Sequence, residues 1–237
     1  MANLSRYTDV IWNLDTSYYF NDFFNYTTAT DGVSSFNVSG TTVAGSSRSG
    51  VAVLTTGAVQ NQNAAVFMTN ACFILAANKP IYGRALVQYT EANVDDAAAF
   101  VGFMSAPVAA TTNADATGAV RTTGTIAGVY KLPNETVWHA VSRNGSQVTD
   151  TTSTKTAGGA AAQKIEVMLT DWDGVSVQVT YKVDDEFLRD VNGLVIRHTL
   201  LIASAVIMSF GANVKAPLAA ANSEVMNVDY IYAHQLR

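Results

Sequence analysis

The acidic side chains of this sequence are badly spaced for catalysis by paired carboxylates. Hydrolysis of a glycosidic bond with retention needs an acid and a nucleophile about 5 Å apart, which β-sandwich hydrolases place on one strand as Glu-x-Asp-x-x-Glu. That pattern is absent, and Glu166 stands alone on its predicted strand. Glu91, Asp95 and Asp96 lie in a turn-like segment, and 184–186 are consecutive, so they cannot all share one face. We expect solvated turns here, no catalytic residues, and a protein that is not an enzyme.

Metal and cofactor sites are not predicted either. The segment Asp171-x-Asp173-Gly174 is similar to the start of a calcium loop, but the remaining ligands and the closing Glu are missing. A hairpin turn explains it better. Cys72 is the only cysteine, so neither an intrachain disulfide nor a cysteine-based zinc site can form. Because it sits in an apolar run, we expect a buried thiol.

The histidines and tryptophans offer two further kinds of chemistry. His139, His198 and His234 are the three histidines, and the sequence contains no nucleophile elbow of the form Gly-x-Ser-x-Gly. We expect each to be a half-buried strand residue. Trp138 is predicted to be core. Trp172 lies at a predicted hairpin tip, where it could pack against another subunit or loop, or stack on a sugar.

The elements that position these residues are organised around the segment 164–188. Apolar residues alternate at Ile165, Val167 and Leu169, and again over 175–183, with Asp-Gly between the two runs. Period two with such a turn is typical of two antiparallel strands that each bury one face. The alternate residues face water or a neighbouring subunit: Glu166, Thr170, Ser176, Gln178, Thr180 and Lys182.

Short strands are predicted along the rest of the chain, and no helical period is sustained. The aromatic segment 18–26 is read as a first strand in preference to a segment docked on a neighbour. Loops are predicted at 106–125, 150–162 and 212–223, and Gly102 indicates a bulge or a close backbone approach. The other predicted strands are 33–38, 51–56, 64–68, 72–76, 81–90, 97–105, 126–131, 137–143, 146–149, 186–190, 198–208 and 224–236.

This pattern predicts an all-β fold, a two-sheet antiparallel β-sandwich. We expect an arm at 1–17 and a single sandwich domain at 18–237. In the closing strand, Val228, Tyr230 and Tyr232 are expected on one face, alternating with Asp229, Ile231 and Ala233.

The bulk composition narrows the functional classes. Only 14% of the 237 residues are charged, well below an average near 25%, which suits a protein packed into an assembly. A formal net charge of −5 argues against nucleic-acid binding. The N-terminus lacks signal-peptide features, and the longest apolar run, 200–208, is too short to span a bilayer. We expect synthesis in a cytoplasm and no membrane partner.

Three segments resemble the concanavalin A-like jelly-roll domain of tailed-bacteriophage structural proteins. The first is 84–105, where an Arg-bearing strand passes through Glu-Ala-Asn-Val-Asp to a strand containing Gly-Phe. The second is the hairpin ending in 181–185, with Asp185 where similar patterns have Gly. The third is the closing 228–237. The resemblance spans roughly 19–237 and implies a jelly-roll sandwich that decorates or reinforces a capsid, often as a homotrimer.

These observations predict a capsid decoration, or cement, protein that binds across major capsid subunits of a phage virion made in the host cytoplasm. The alternative is a glycan-binding, lectin-like module of a head fibre or tail, using a sheet face or the Trp172 tip. The predicted contact residues are the exposed tip tryptophan and aromatics of the first strand: Tyr18, Tyr19, Phe20, Phe23, Phe24 and Trp172.

Overall fold

The computed structural model describes residues 16–23, 33–35, 37, 41–44, 50–58, 62–68, 73–91, 97–107, 123–145, 147–202, 206–216 and 223–236. Within these ranges the regular structure is entirely β. Most of the predicted arm 1–17, Phe24, Cys72 and most of the predicted loop 106–125 fall outside them, while Thr16 and Ser17 of the arm begin the first strand. None of the described segments is a helix long and apolar enough to cross a membrane. The strands are β1 (Thr16–Asn21), β2 (Val33–Ser35), β3 (Thr41–Ala44), β4 (Ala52–Thr55), β5 (Asn63–Met68), β6 (Phe73–Ile74), β7 (Ile81–Thr90), β8 (Ala98–Met104), β9 (Thr125–Lys131), β10 (Val137–Asn144), β11 (Gln147–Thr156), β12 (Gln163–Thr170), β13 (Ser176–Val183), β14 (Glu186–Phe187), β15 (Arg197–Leu201), β16 (Ile207–Lys215) and β17 (Val225–Leu236).

The strands form two antiparallel sheets, as the alternation predicts. The nine-stranded sheet has the order β14-β13-β12-β7-β17-β4-β3, with β1 on β17 and β15 on β13. The eight-stranded sheet has the order β11-β10-β9-β8-β16-β5-β2, with β6 on β16. Their inner faces bury one large apolar cluster that includes Leu54, Val167 and Phe210. The predicted all-β sandwich of jelly-roll type is therefore confirmed.

The two outer faces differ in exposure. In β7 and β13 of the nine-stranded sheet, buried and partly exposed residues alternate, so one face meets solvent. In β8 and β9 of the eight-stranded sheet every residue is buried. A second apolar cluster, with Phe67, Phe100 and Tyr130, covers that outer face. Among these four strands, partly exposed side chains therefore occur only on the outer face of the nine-stranded sheet.

Gly102 lies in a row of glycines across the eight-stranded sheet. It pairs with Gly128 on one side and Gly211 on the other, without a register shift in β8. A Cβ on Gly102 would come within 2.4 Å of the Gly128 Cα and 2.5 Å of the Ala127 oxygen. The predicted close backbone approach is confirmed and the alternative of a bulge is wrong.

We expect Gly102→Ala to lower the free energy of unfolding by about 3 kcal/mol, since the added methyl group meets backbone that cannot give way. Gly193→Ala is the control, because its Cβ would meet no atom within 4 Å and only its φ of 78° is penalised. Urea unfolding should show a loss of about 1 kcal/mol there. Equal losses in the two variants would refute the steric account.

The predicted hairpins form where the turn residues indicated them. Gly145 and Gly174 have φ values of 57° and 95°, and Asn144 pairs with Gln147. Asp184 and Asp185 both have positive φ, as a two-residue type I′ turn requires, so aspartate adopts the conformation for which glycine is usual.

Several predicted boundaries differ from the structure. The predicted loop 150–162 begins as strand, because β11 continues to Thr156 as a Thr-rich strand paired with β10. The apolar run 198–208 belongs to two strands: β15 pairs with β13 in one sheet and β16 with β8 in the other. The predicted loop 212–223 begins as the end of β16. Val175, expected in the buried alternation, is 61% exposed before β13 begins.

Candidate functional site

A β-bulge in the closing strand decides which side chains the nine-stranded sheet presents. Val228 pairs with Val87 and Tyr230 with the adjacent Leu86, so Asp229 is the extra residue. The bulge reverses the alternation: Ile231 is buried while Tyr230 and Tyr232 are partly exposed. The expectation that Val228, Tyr230 and Tyr232 share a face is therefore wrong, because the inserted residue turns the tyrosines outward.

One row of side chains crosses the whole outer face. Each residue is the register partner of the next in the neighbouring strand. The row has three charged groups in its middle, with two aromatic rings at one end and one at the other. In order from β1 to β14 it consists of Phe20, Tyr232, Arg84, Glu166, Lys182 and Phe187.

Arg84, on the central strand β7, is held between aromatic rings. Its guanidinium carbon lies 5.4 Å from the ring centroid of Tyr230 and 5.5 Å from that of Tyr232, within cation–π range. Arg84 makes no hydrogen bond or ion pair with any described residue, and its Nε is buried without a partner. A half-buried arginine with unused donors is ready to bind an external acceptor.

Glu166 is the acidic group of the row. It is almost fully buried and accepts a hydrogen bond from the Tyr82 hydroxyl at 2.6 Å. The Lys182 Nζ lies 4.0 Å from its other oxygen. Burial, together with the hydrogen bond to Glu166, raises the pKa of Tyr82. Tyr82 therefore stays protonated and holds the carboxylate in place.

His234 completes the cluster on β17. Its ring centroid lies 5.1 Å from that of Tyr82 and 5.4 Å from that of Tyr232. Burial, and then the charge of Arg84, lowers its pKa, so the imidazole is neutral at pH 7. Its Nδ1 is buried without a partner among the described residues. We call this set the tyrosine–arginine face: Tyr82, Arg84, Glu166, Tyr230, Tyr232 and His234.

The predicted contact residues in and after β1 differ in their exposure. Segment 18–26 does provide a first strand, which pairs with the C-terminal half of β17. Phe20 is 51% exposed and lies 6.0 Å from the Tyr230 ring. Tyr19 packs against the main core. Phe23 is buried in that core, because a left-handed turn (φ 55°) after β1 directs its ring inward; it is not available for contacts. The side chain of Tyr18 is outside the described part.

Trp172 does not stand free at the tip of its hairpin. The indole is half-buried against the main core. The turn is stabilised by the Asp173 carboxylate, which accepts hydrogen bonds from the backbone N–H groups of Val175 and Ser176 at 2.8 and 2.7 Å. These bonds lower the pKa of Asp173. The exposed-tip premise for sugar stacking is therefore wrong, while the hairpin-turn interpretation of this segment is confirmed. Trp138 is core, as predicted.

Other groups with reactive side chains are structural. His198 Nδ1 lies 3.0 Å from both the Ser142 hydroxyl and the Tyr181 hydroxyl, and its Nε2 lies 3.0 Å from the Thr151 hydroxyl. These four residues come from both sheets, and His198 is buried, not half-buried as expected. The described part of the chain contains no cluster of three His, Cys, Asp or Glu side chains that could hold a metal.

The prediction that Glu91 lies in a solvated turn is wrong, because its carboxylate pairs with a buried cation. Its Oε1 contacts the Nζ of Lys131 and accepts the Tyr89 hydroxyl at 2.9 Å. Lys131 also donates to the Ala97 carbonyl at 2.9 Å and is 1% exposed. The pair links the end of β7 to β9, across the sandwich.

Solved structures similar to this chain share its fold. A protein of unknown function from Shewanella oneidensis MR-1 is 12% identical, with a TM-score of 0.59 and coverage of 100% of this chain and 95% of that one. Peanut lectin is 12% identical (TM-score 0.57; 93% and 97%). An endo-1,3-beta-glucanase from Streptomyces sioyaensis is 12% identical (TM-score 0.59; 94% and 97%).

At these identities the likeness establishes the fold alone: a concanavalin A-like jelly roll of the legume-lectin type. The fold implied by the sequence resemblance is thereby confirmed, while the link to tailed-phage structural proteins stays a prediction. No family model matches the chain, and no curated protein does. The similar structures include lectins and enzymes, so function has to be argued from the site.

Proposed function

We propose that this chain is a non-catalytic, lectin-like module that binds glycan on the tyrosine–arginine face. The observation that carries the proposal is the combination, on one sheet face, of tyrosine rings with an arginine that forms no hydrogen bond or ion pair with any described residue. Sugars are amphipathic: their C–H faces stack on aromatic rings, and their hydroxyls need paired donors and acceptors.

The polar groups of the face match that need. Arg84 forms no hydrogen bond or ion pair with any described residue, and the residue is partly exposed, so its guanidinium has donors to offer a sugar. Glu166 is oriented by Tyr82. Several of the similar structures are carbohydrate recognition domains or lectins, which supports this proposal by analogy of fold only.

A glycan array followed by calorimetric titration tests the proposal. Tyr232→Ala should weaken glycan binding at least tenfold. It removes one aromatic stacking surface and one of the two rings beside Arg84, a loss of about 1.4 kcal/mol or more of binding free energy. Trp172→Ala is the matched control on the rival tip and should leave the affinity unchanged. An array without hits, or a loss caused by Trp172→Ala alone, would overturn the proposal.

A second candidate function is decoration of a phage capsid, with the major capsid protein as partner and a trimer as the assembly. Two features favour it. Ile74 and Ile207 are register partners and are 46% and 51% exposed. Burying such apolar side chains against a partner protein is favourable. The charge fraction of 14% also suits a protein–protein surface. In this reading the protein is made in the host cytoplasm and resides on the virion.

Co-sedimentation with assembled phage heads that lack the protein tests this candidate. Wild-type protein should sediment with the heads, and Ile207→Lys should stay in the supernatant. Val191→Lys is the control, since Val191 is also exposed but lies away from β6 and β16. Wild-type protein that never sediments with heads would exclude the capsid role.

A further inference from the structure

The charges along the outer face are not balanced. Across the row, Arg84 and Lys182 contribute two cations and Glu166 one carboxylate, on a chain whose formal net charge is −5. Lys164, two residues before Glu166 on β12, is already paired with Asp185. Within the row itself, cations therefore outnumber carboxylates, although the protein as a whole is acidic.

Arg84 is the cation that remains available. Glu166, its register partner, is engaged by Tyr82 and lies 4.0 Å from Lys182, and no described carboxylate forms an ion pair with Arg84. The ammonium group of Lys182 lies 4.6 Å from the centroid of the Phe187 ring. Arg84 as a whole is partly exposed, although its Nε is buried, so a ligand would approach the terminal amino groups of the guanidinium.

The chemistry of that fork selects the ligand. A guanidinium binds carboxylate or sulfate through two parallel hydrogen bonds, and the rings of Tyr230 and Tyr232 lie 5.4 and 5.5 Å from its central carbon. A neutral hydroxyl cannot use both donors in that way. The same rings offer an apolar surface to the sugar that carries the anionic group.

We propose that the tyrosine–arginine face is specific for acidic glycans, with the carboxylate or sulfate of the sugar bound by Arg84. This inference rests on the proposed glycan-binding function and narrows it to a ligand class. Glu166 would then accept a hydroxyl hydrogen from the same sugar, while Lys182 adds attraction across the row.

An array of matched neutral, uronate and sulfated oligosaccharides on the same backbones tests the inference, with titration of the best pair at low and high salt. Wild-type protein should bind an acidic member about tenfold more tightly than its neutral counterpart. The uronate and sulfated arms show which anion fits. High salt should reduce the difference.

Two variants separate charge from geometry. Arg84→Lys keeps the charge but loses the fork, so it should abolish most of the preference for the acidic glycan. Arg197→Gln removes an exposed cation of the same sheet, on β15, and should leave the preference unchanged. Equal binding of neutral and acidic members, or an equal loss for both in Arg84→Lys, overturns the acidic specificity but not the glycan proposal. No binding to any member overturns both.

Discussion

Glu91→Gln should lower the free energy of unfolding by about 3–5 kcal/mol, because it leaves the buried ammonium group of Lys131 without a counter-charge. The carboxylate contacts that ammonium directly and accepts two further hydrogen bonds, from the Tyr89 hydroxyl at 2.9 Å and the Ala97 N–H at 3.2 Å. The amide keeps the shape of the side chain, so the loss reports the charge. Chemical denaturation, analysed with the same m-value for all variants, measures the loss of unfolding free energy.

Two comparisons control this prediction. Asp184→Asn breaks the exposed pair with Lys155, whose atoms are 3.0 Å apart, and should cost no more than about 1 kcal/mol. The double variant Glu91→Gln with Lys131→Met removes the buried cation as well and should recover part of the loss. A Glu91→Gln protein as stable as the Asp184→Asn protein would show that Lys131 does not depend on this carboxylate.

Stability should fall by about 3 kcal/mol as the pH drops from 6.5 to 4, through His198 alone. Burial lowers the pKa of His198 to about 4 from an ordinary value of 6.5, and the charge of Asp150 offsets only part of this. Between those pH values the unfolded chain takes up a proton that the folded protein does not. The contribution is therefore complete above pH 6.5 and is lost as the pH falls through the folded pKa.

Measuring unfolding at several pH values in wild type and His198→Gln isolates this effect. His198→Gln should lack this fall in unfolding free energy between pH 6.5 and 4, since glutamine does not titrate. His139→Gln should keep it. Burial opposes protonation of His139, but its hydrogen bonds to Asp150 and Glu135 and their charges raise its pKa overall. Its contribution is thus present below pH 6.5 and is lost at higher pH. Identical slopes in wild type and His198→Gln would refute the assignment.

The sequence was sufficient to predict the sandwich and its main hairpins, because both depend on local patterns. Alternation in 165–169 and 177–183 matches the buried faces of β12 and β13. Both faces of 81–90 are partly apolar, which is typical of a central strand, and β7 does lie between β12 and β17. The pairing of Glu91 with Lys131 joins residues far apart in the chain, which no local pattern reveals.

The tyrosine–arginine face was missed because of one inserted residue. Tyrosine is amphipathic, so the sequence pattern is compatible with Tyr230 and Tyr232 on the buried face of the strand or on its exposed face. The aliphatic residues did carry a signal: Met226 and Val228 are two apart, but the next buried aliphatic residue, Ile231, follows after three. That break in period marks the bulge that turns the tyrosines toward solvent.

The central claim is that ligand binds the outer face of the nine-stranded sheet, and isotope-labelled tyrosine rings test it most directly. Titration with the acidic oligosaccharide selected by the array should shift the ring signals of Tyr82, Tyr230 and Tyr232. The rings of Tyr130 and Tyr181, both buried, should keep theirs. Saturable binding that leaves the first three signals unmoved would place the ligand elsewhere and contradict this account.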